Sequence, residues 1–214
     1  MRKRFDEQLE ELNQEMQEMG RMVEDSIQKA IEALLKQDET LAQLVMEADA
    51  LVDQKQKEIE SICFTLLMQQ QPVASDLRVI SAALKMVTDM ERIGDHAADI
   101  SEMTLHLAHE PYIKNLDHIR QMATETTWML IQSIEAYVEK DTRKASGVIA
   151  HDDIVDELFA DTKRELIELI HQDKNNGEQA TDLLMVAKYF ERIGDHATNL
   201  AEWCIFSIDK RPRG

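Results

Sequence analysis

The stretch ERIGDHAADISE at residues 91–102 returns as ERIGDHATNLAE at residues 191–202, with eight of twelve letters identical. Each copy opens on a glutamate followed four positions later by an aspartate, Glu91/Asp95 and Glu191/Asp195. On a helix, residues four apart stand one turn above each other on one face, so each pair presents two carboxylates in a column. Two further columns lie upstream: DALVD places Asp49 and Asp53 at this spacing, and DDIVD places Asp152 and Asp156. Asp99 extends the first column by one turn; its counterpart is Asn199, an oxygen donor without charge. Clustered carboxylates repel, and partial burial makes their ionised forms costlier. Such a group either takes up protons or holds a cation. Oxygen-rich sites suit Mg, Mn, Fe or Ca, with Zn entering through carboxylate and histidine. His96 and His196 follow the aspartates about 100° around the helix, and are expected to pair with acidic neighbours or face water.

Whether the columns meet depends on the elements that carry them. The chain is duplicated well beyond the opening motif. Residues 31–54 align without gaps on 134–157 with nine identities, at an offset of 103 rather than 100. The first half therefore carries three extra residues between Asp53 and Glu91, and the turn QQQPVASD, set against HQDKNNGE, is where they belong. Breakers divide the chain into six helices. The first runs from about Phe5 to Lys36; Asp38 caps the second, which reaches about Gln70. Pro72 and Ser75 introduce the third, which ends before Pro111, and the fourth covers about 115–139. Asp141, the repeat of Asp38, caps the fifth, and the turn DKNNG leads to the sixth, ending about Asp209. Short connections between long helices make neighbours antiparallel. The expected fold is all-α: two tandem, similar three-helix bundles, residues 1–110 and 111–214.

Folding the second and third helices into a hairpin tests the columns. Residues at equal height have a constant sum, and Asp53 with Glu91 and Asp49 with Asp95 share one whose midpoint is Pro72. Asp156 with Glu191 and Asp152 with Asp195 share another, centred between Asp173 and Lys174. Both midpoints fall in turns found independently. Four carboxylates are thus expected at one height in each half. Leu77, Ile80, Leu84, Val87, Glu91, Gly94 and Ala98 follow the spacing of a buried stripe, and so do Leu184, Ala187, Glu191, Gly194, Thr198, Ala201 and Ile205. Asp49 and Asp53 lie on the flank of their helix's stripe, which leaves their aim open. Gly94 and Gly194 occupy the same slot of the motif, suited to close helix approach or to room for a bound group.

Composition excludes several classes. With 42 acidic and 24 basic residues the net charge is −18, and no basic stripe is present to displace counterions, so direct nucleic-acid binding is not expected. The basic N-terminus has no apolar stretch behind it, which is unlike a signal peptide. No window approaches the roughly 18 consecutive apolar residues of a membrane span. Cys63 and Cys204 read as buried reduced thiols, and the location expected is the cytoplasm. A di-iron oxygenase would want Glu-x-x-His on two helices, whereas the chain has one, Glu168/His171, near a helix end. No phosphate loop or nucleophilic triad is evident.

The residues ERIGDHAADI (91–100) and ERIGDHATNL (191–200), with Asp49/Asp53 and Asp152/Asp156, resemble the twice-repeated E/D-x-x-x-D pattern of the PhoU family. These are accessory and regulatory proteins of bacterial high-affinity phosphate transport. The resemblance covers nearly the whole chain. It implies two similar three-helix bundles, no enzymatic activity, and multinuclear Fe or Zn at the acidic motifs, with Mg or Mn as alternatives. It further implies a homodimer that reaches the membrane only through partners: the ATPase subunit of a phosphate ABC transporter and a phosphate-sensing histidine kinase. Carried over, a first cluster would use Asp49, Asp53, Glu91, Asp95 and Asp99, and a second Asp152, Asp156, Glu191 and Asp195. Asn199 stands where the pattern has aspartate, which implies a weaker or smaller second site. A metal-dependent helical enzyme and a metal-free helical adaptor are the alternatives.

Overall fold

A computed structural model of the chain describes residues 2–69 and 73–209. It contains six long helices: α1 (Arg2–Lys36), α2 (Glu39–Gln69), α3 (Ala74–Leu107), α4 (Asp117–Glu139), α5 (Thr142–Gln172) and α6 (Gly177–Ile208). Amphipathic spacing drives them together. Leu12, Met16, Met19, Val23, Ile27, Ala30 and Leu34 recur every three or four residues in α1, and all are buried.

The duplication extends to individual hydrogen bonds. Gln37 and Lys140, at equivalent positions, both turn left-handed with φ of 53° and 57° to end α1 and α4. Asp38 N then donates to Ala33 O, and Asp141 N to Ala136 O, each at 2.9 Å. Both aspartates cap the next helix as expected: Asp38 Oδ1 accepts from Leu41 N at 3.0 Å, and Asp141 Oδ1 from Arg143 N at 2.8 Å and Lys144 N at 3.2 Å. In the turn DKNNG, Asp173 accepts from Asn175 N at 2.9 Å and a 3₁₀ turn, Lys174–Asn176, leads directly into α6. The corresponding turn of the first half, with Pro72, lies outside the described residues.

Helices α1–α3 form one bundle and α4–α6 the other. They are not separate cores. Helices α3 and α6 pack along each other, α1 touches α4, and the buried residues of both halves join in one cluster. Polar bonds join the helices too: Ser133 Oγ donates to Ala197 O at 3.0 Å within the second bundle, and Arg78 Nη2 donates to Phe206 O at 3.0 Å across the seam between bundles. Among the described residues no helix is long and apolar enough to cross a membrane.

Helices α3 and α6 are rotated from the stripe the spacing suggested. In α3 the buried face is Ile80, Ala83, Val87, Met90, Ile93, Gly94 and Ala97, whereas Leu77 is 42 % exposed and Leu84 and Ala98 are only partly covered. The reason is that α3 packs on α1, α2 and α6 at once, which widens its buried face and moves its centre. Glu91 therefore sits on the flank of that face, at the groove between α3 and α2.

Candidate metal centres

Each acidic column lines the groove of a helix hairpin. Asp49 and Asp53 descend from α2 and Asp95 from α3, and one carboxylate oxygen of each lies within 4.8 Å of the others. This settles the direction that flank positions in the sequence left open. Close backbone approach makes it possible. At Gly94 an added Cβ would stand 3.1 Å from Val52 Cγ1 and 3.5 Å from Asp49 Oδ1. At Gly194 it would stand 3.2 Å from Asp152 Oδ1 and 3.3 Å from Val155 Cγ1. Both glycines let a valine–aspartate turn of the facing helix approach, and so fix the height at which the carboxylates meet.

The electrostatics of the first site are those of a crowded, half-dry cluster. Burial pushes the Asp49 carboxyl from its ordinary 3.8 up to about 6, helped by the charges of Asp95, Asp53 and Asp99. Burial also raises Glu91, with Asp95 adding to the shift and Arg92 opposing it. Two buried oxygens have no hydrogen-bond partner, Asp49 Oδ1 and Glu91 Oε2. Arg92 bonds Asp95 Oδ2 at 2.7 Å, and its Nε stands 3.5 Å from Glu91 Oε2, an ion-pair contact without a hydrogen bond. Asp99 Oδ2 lies 3.0 Å from His96 Nδ1, and Asp49, Asp95 and Asp99 share a cleft of about 440 Å³.

In the second half, burial raises Asp152 to about 6, helped by Asp156 and Asp195, while the Thr198 hydroxyl partly offsets the shift. Partial desolvation raises Asp195 even though its side chain stays exposed, with Glu191 adding to the shift and Lys188 opposing it. The Lys188 ammonium holds Glu191 Oε2 in an ion pair. Asp156 and Asp195 are exposed, whereas Asp53 and Asp95 in the first half are half-buried. Asn199 turns away from this group: its Nδ2 donates to Asp89 Oδ1 of α3 at 3.2 Å.

The histidines pair with acids. His96 uses Asp99 of its own helix, and His196 Nδ1 lies 2.8 Å from Asp89 Oδ1 in the other half. The two rings meet across the seam with centroids 5.7 Å apart. Sequence reasoning missed Asp89, Arg92, Lys188 and Thr198. The i,i+3 spacings Arg92–Asp95 and Lys188–Glu191 are a readable signal for the two cations. Asp89 offers none, because its partners come from the opposite bundle.

The oxygen donors, orphaned Asp49 Oδ1 and Glu91 Oε2, and the glycine-permitted approach fit a hard or borderline cation. Fold and site together define a class: a duplicated helical bundle with one carboxylate-lined hairpin groove per repeat. The PhoU domain matches this chain twice, over residues 16–104 and 119–204, and the chain belongs to the PhoU family. A phosphate-specific transport system accessory protein PhoU homolog of Clostridium acetobutylicum is 42 % identical over 208 residues, covering 97 % of this chain and 95 % of that one. The crystal structure of PhoU from Pseudomonas aeruginosa superposes with a TM-score of 0.91 at 31 % identity, covering 95 % of this chain and 98 % of that one. The phosphate transport system regulatory protein PhoU from Streptococcus pneumoniae gives 0.87 at 28 % identity, covering 95 % and 96 %.

Proposed function

We propose that the chain is a regulatory adaptor of phosphate homeostasis, an accessory protein rather than an enzyme. It restrains phosphate-starvation signalling and phosphate uptake by coupling the ATPase of a phosphate ABC transporter to a phosphate-sensing histidine kinase. It acts in the cytoplasm, as a homodimer, and meets the membrane through those partners. The observation that carries this reading is that both PhoU-domain repeats bear corresponding carboxylate columns on their hairpins, in a chain related over its length to phosphate-transport accessory proteins. Metal ions at the grooves, Fe or Zn with Mg or Mn as alternatives, would be held by Asp49, Asp53, Glu91, Asp95 and Asp99 in the first half. In the second, Asp152, Asp156, Glu191 and Asp195 would serve, with Asn199 the weakest candidate donor. A bound cation would supply positive charge to a cluster that otherwise repels itself, clamping α2 to α3 and α5 to α6. The acidic face around the grooves then forms a docking surface for basic faces of the partners.

Elemental analysis of protein purified without chelator, joined to capture of the transporter ATPase, tests both parts. Wild type is expected to carry metal and retain the ATPase, and Glu91→Ala and Glu191→Ala each to lose part of the metal. Full metal content in both variants would remove the metal assignment. Failure of metal-loaded wild type to retain the ATPase would remove the adaptor role.

A further inference from the structure

The repeats differ at the seam between α3 and α6 in a coordinated way. Position 99 is Asp and position 199 is Asn; position 89 is Asp and position 189 is Tyr. Asp89 is 15 % exposed, and one of its oxygens takes both His196 Nδ1 at 2.8 Å and Asn199 Nδ2 at 3.2 Å. On the other side of the pseudo-twofold, Tyr189 faces His96 with ring centroids 5.6 Å apart and offers no carboxylate, so His96 turns to Asp99 on its own helix. An aspartate at 199 would stand against Asp89, two like charges on one shared contact. An asparagine there removes the repulsion and donates a hydrogen bond.

We infer that position 199 has been diverted from ligation to a latch between the halves, Asp89–His196–Asn199, and that the two acidic centres are consequently unequal, the first binding metal more tightly. This rests on reading the grooves as metal centres. Two further differences have the same sign. Asp49, Asp53 and Asp95 converge within 4.8 Å, and no comparable trio forms in the second half among the described residues. Asp156 and Asp195 are exposed where Asp53 and Asp95 are half-buried, so water competes more strongly for the second group. The substitution at position 199 itself leaves five carboxylates along the first groove and four along the second. Each groove carries one cation of its own, Arg92 beside both Asp95 and Glu91 and Lys188 on Glu191, so each set is offset by a single positive charge.

The test is a Mn²⁺ titration of the chelator-stripped full chain, with free Mn²⁺ read by electron paramagnetic resonance. Mn²⁺ suits all-oxygen donors. Wild type should fill two classes of site separated by at least about tenfold, the scale on which supporting groups alter metal affinity. Asp99→Asn should weaken the tighter class by about 10–100-fold and leave the weaker class in place. Asn199→Asp combined with Asp89→Asn should tighten the weaker class. Two indistinguishable classes in wild type, or no change in the weaker class in the double variant, would overturn the inequality while leaving the metal centres standing. Absence of any bound Mn²⁺ would overturn both readings. The latch has a metal-free readout. In chelated protein, Asp89→Ala and Asn199→Ala should lower the denaturation midpoint less in combination than as the sum of the singles, and strict additivity would refute it.

Discussion

Asp49→Asn should stabilise the metal-free protein at neutral pH while weakening its hold on metal. In the folded chain the Asp49 carboxyl titrates at about 6 against an ordinary 3.8, chiefly through burial. A raised carboxylate binds its proton more tightly folded than unfolded, so its effect on stability is most favourable below the ordinary value and is lost as pH climbs through about 6. That difference corresponds to about 3 kcal/mol; Asp49 is only half-buried, and screening by water reduces it to about 1–2 kcal/mol. In a chain of this size the gain should raise the midpoint of the Asn variant by about 2–8 °C at neutral pH. At about pH 5, where wild-type Asp49 is already largely protonated, the gap should narrow by roughly half. Asp152, also raised to about 6, should behave alike. His96 is lowered by burial and acts in the opposite direction over the same window, so the comparison must be between wild type and variant rather than between two pH values alone. Asp141 and Glu165 are lowered, and their contributions are lost only as pH falls below their ordinary values, under the interval from about pH 5 to neutral. The assay is thermal denaturation by far-UV circular dichroism, with chelator and then with excess Mn²⁺, which should reverse the order by favouring wild type. A chelated Asn variant no more stable than wild type at neutral pH, or a gap that widens on acidification, would refute the assignment of Asp49 as a strained anion.

Gly94→Ala should cost more in metal affinity than in stability: helix propensity gains about 1 kcal/mol, overpacking against Val52 costs about 1–3 kcal/mol, and any retreat of α2 carries Asp49 with it. Parallel denaturation and Mn²⁺ titration separate the two effects. Asp141→Ala removes both backbone bonds that start α5 and should lower stability by about 1 kcal/mol, read as a shift of about 2–4 °C, with Asp141→Asn retaining most of it. Cys63 and Cys204 are buried thiols pushed up to about 12, so a disulfide thiol reagent should modify them only at the rate of unfolding, and burst labelling of the native protein would contradict their burial.

The helices, their caps and the height at which carboxylates meet were legible because each is encoded locally. Asp38 and Asp141 bond the backbone a few residues away, and equal height in a hairpin is a matter of counting. Rotation about the helix axis was less legible. Glu91 fits a 3–4 spacing with Leu77 and Leu84, but α3 has three neighbours, so its buried face is centred on Met90 and Ile93 instead. Side chains whose partners lie in the other repeat were not legible at all. Asp89 interrupts no pattern in α3, and its role follows only when His196 and Asn199 are brought against it by packing of α3 on α6.

That packing bears on how one repeat can sense the other. Helices α3 and α6 supply the glutamate–aspartate half of each groove and are also each other's neighbours through the core. His96 and His196 directly follow Asp95 and Asp195, and they meet at the seam with no loop between the two centres. A change in the distance from α2 to α3 therefore acts on a helix whose opposite flank is pressed against α6. Close-packed helices move as bodies rather than yielding locally, so occupancy of one groove has a route to the other through two helices and one seam. The Asp89 carboxylate ties α3 to the turn of α6 carrying His196 and Asn199. With the proposed unequal centres, such a seam would favour filling in order, the second centre registering changes after the first is already held.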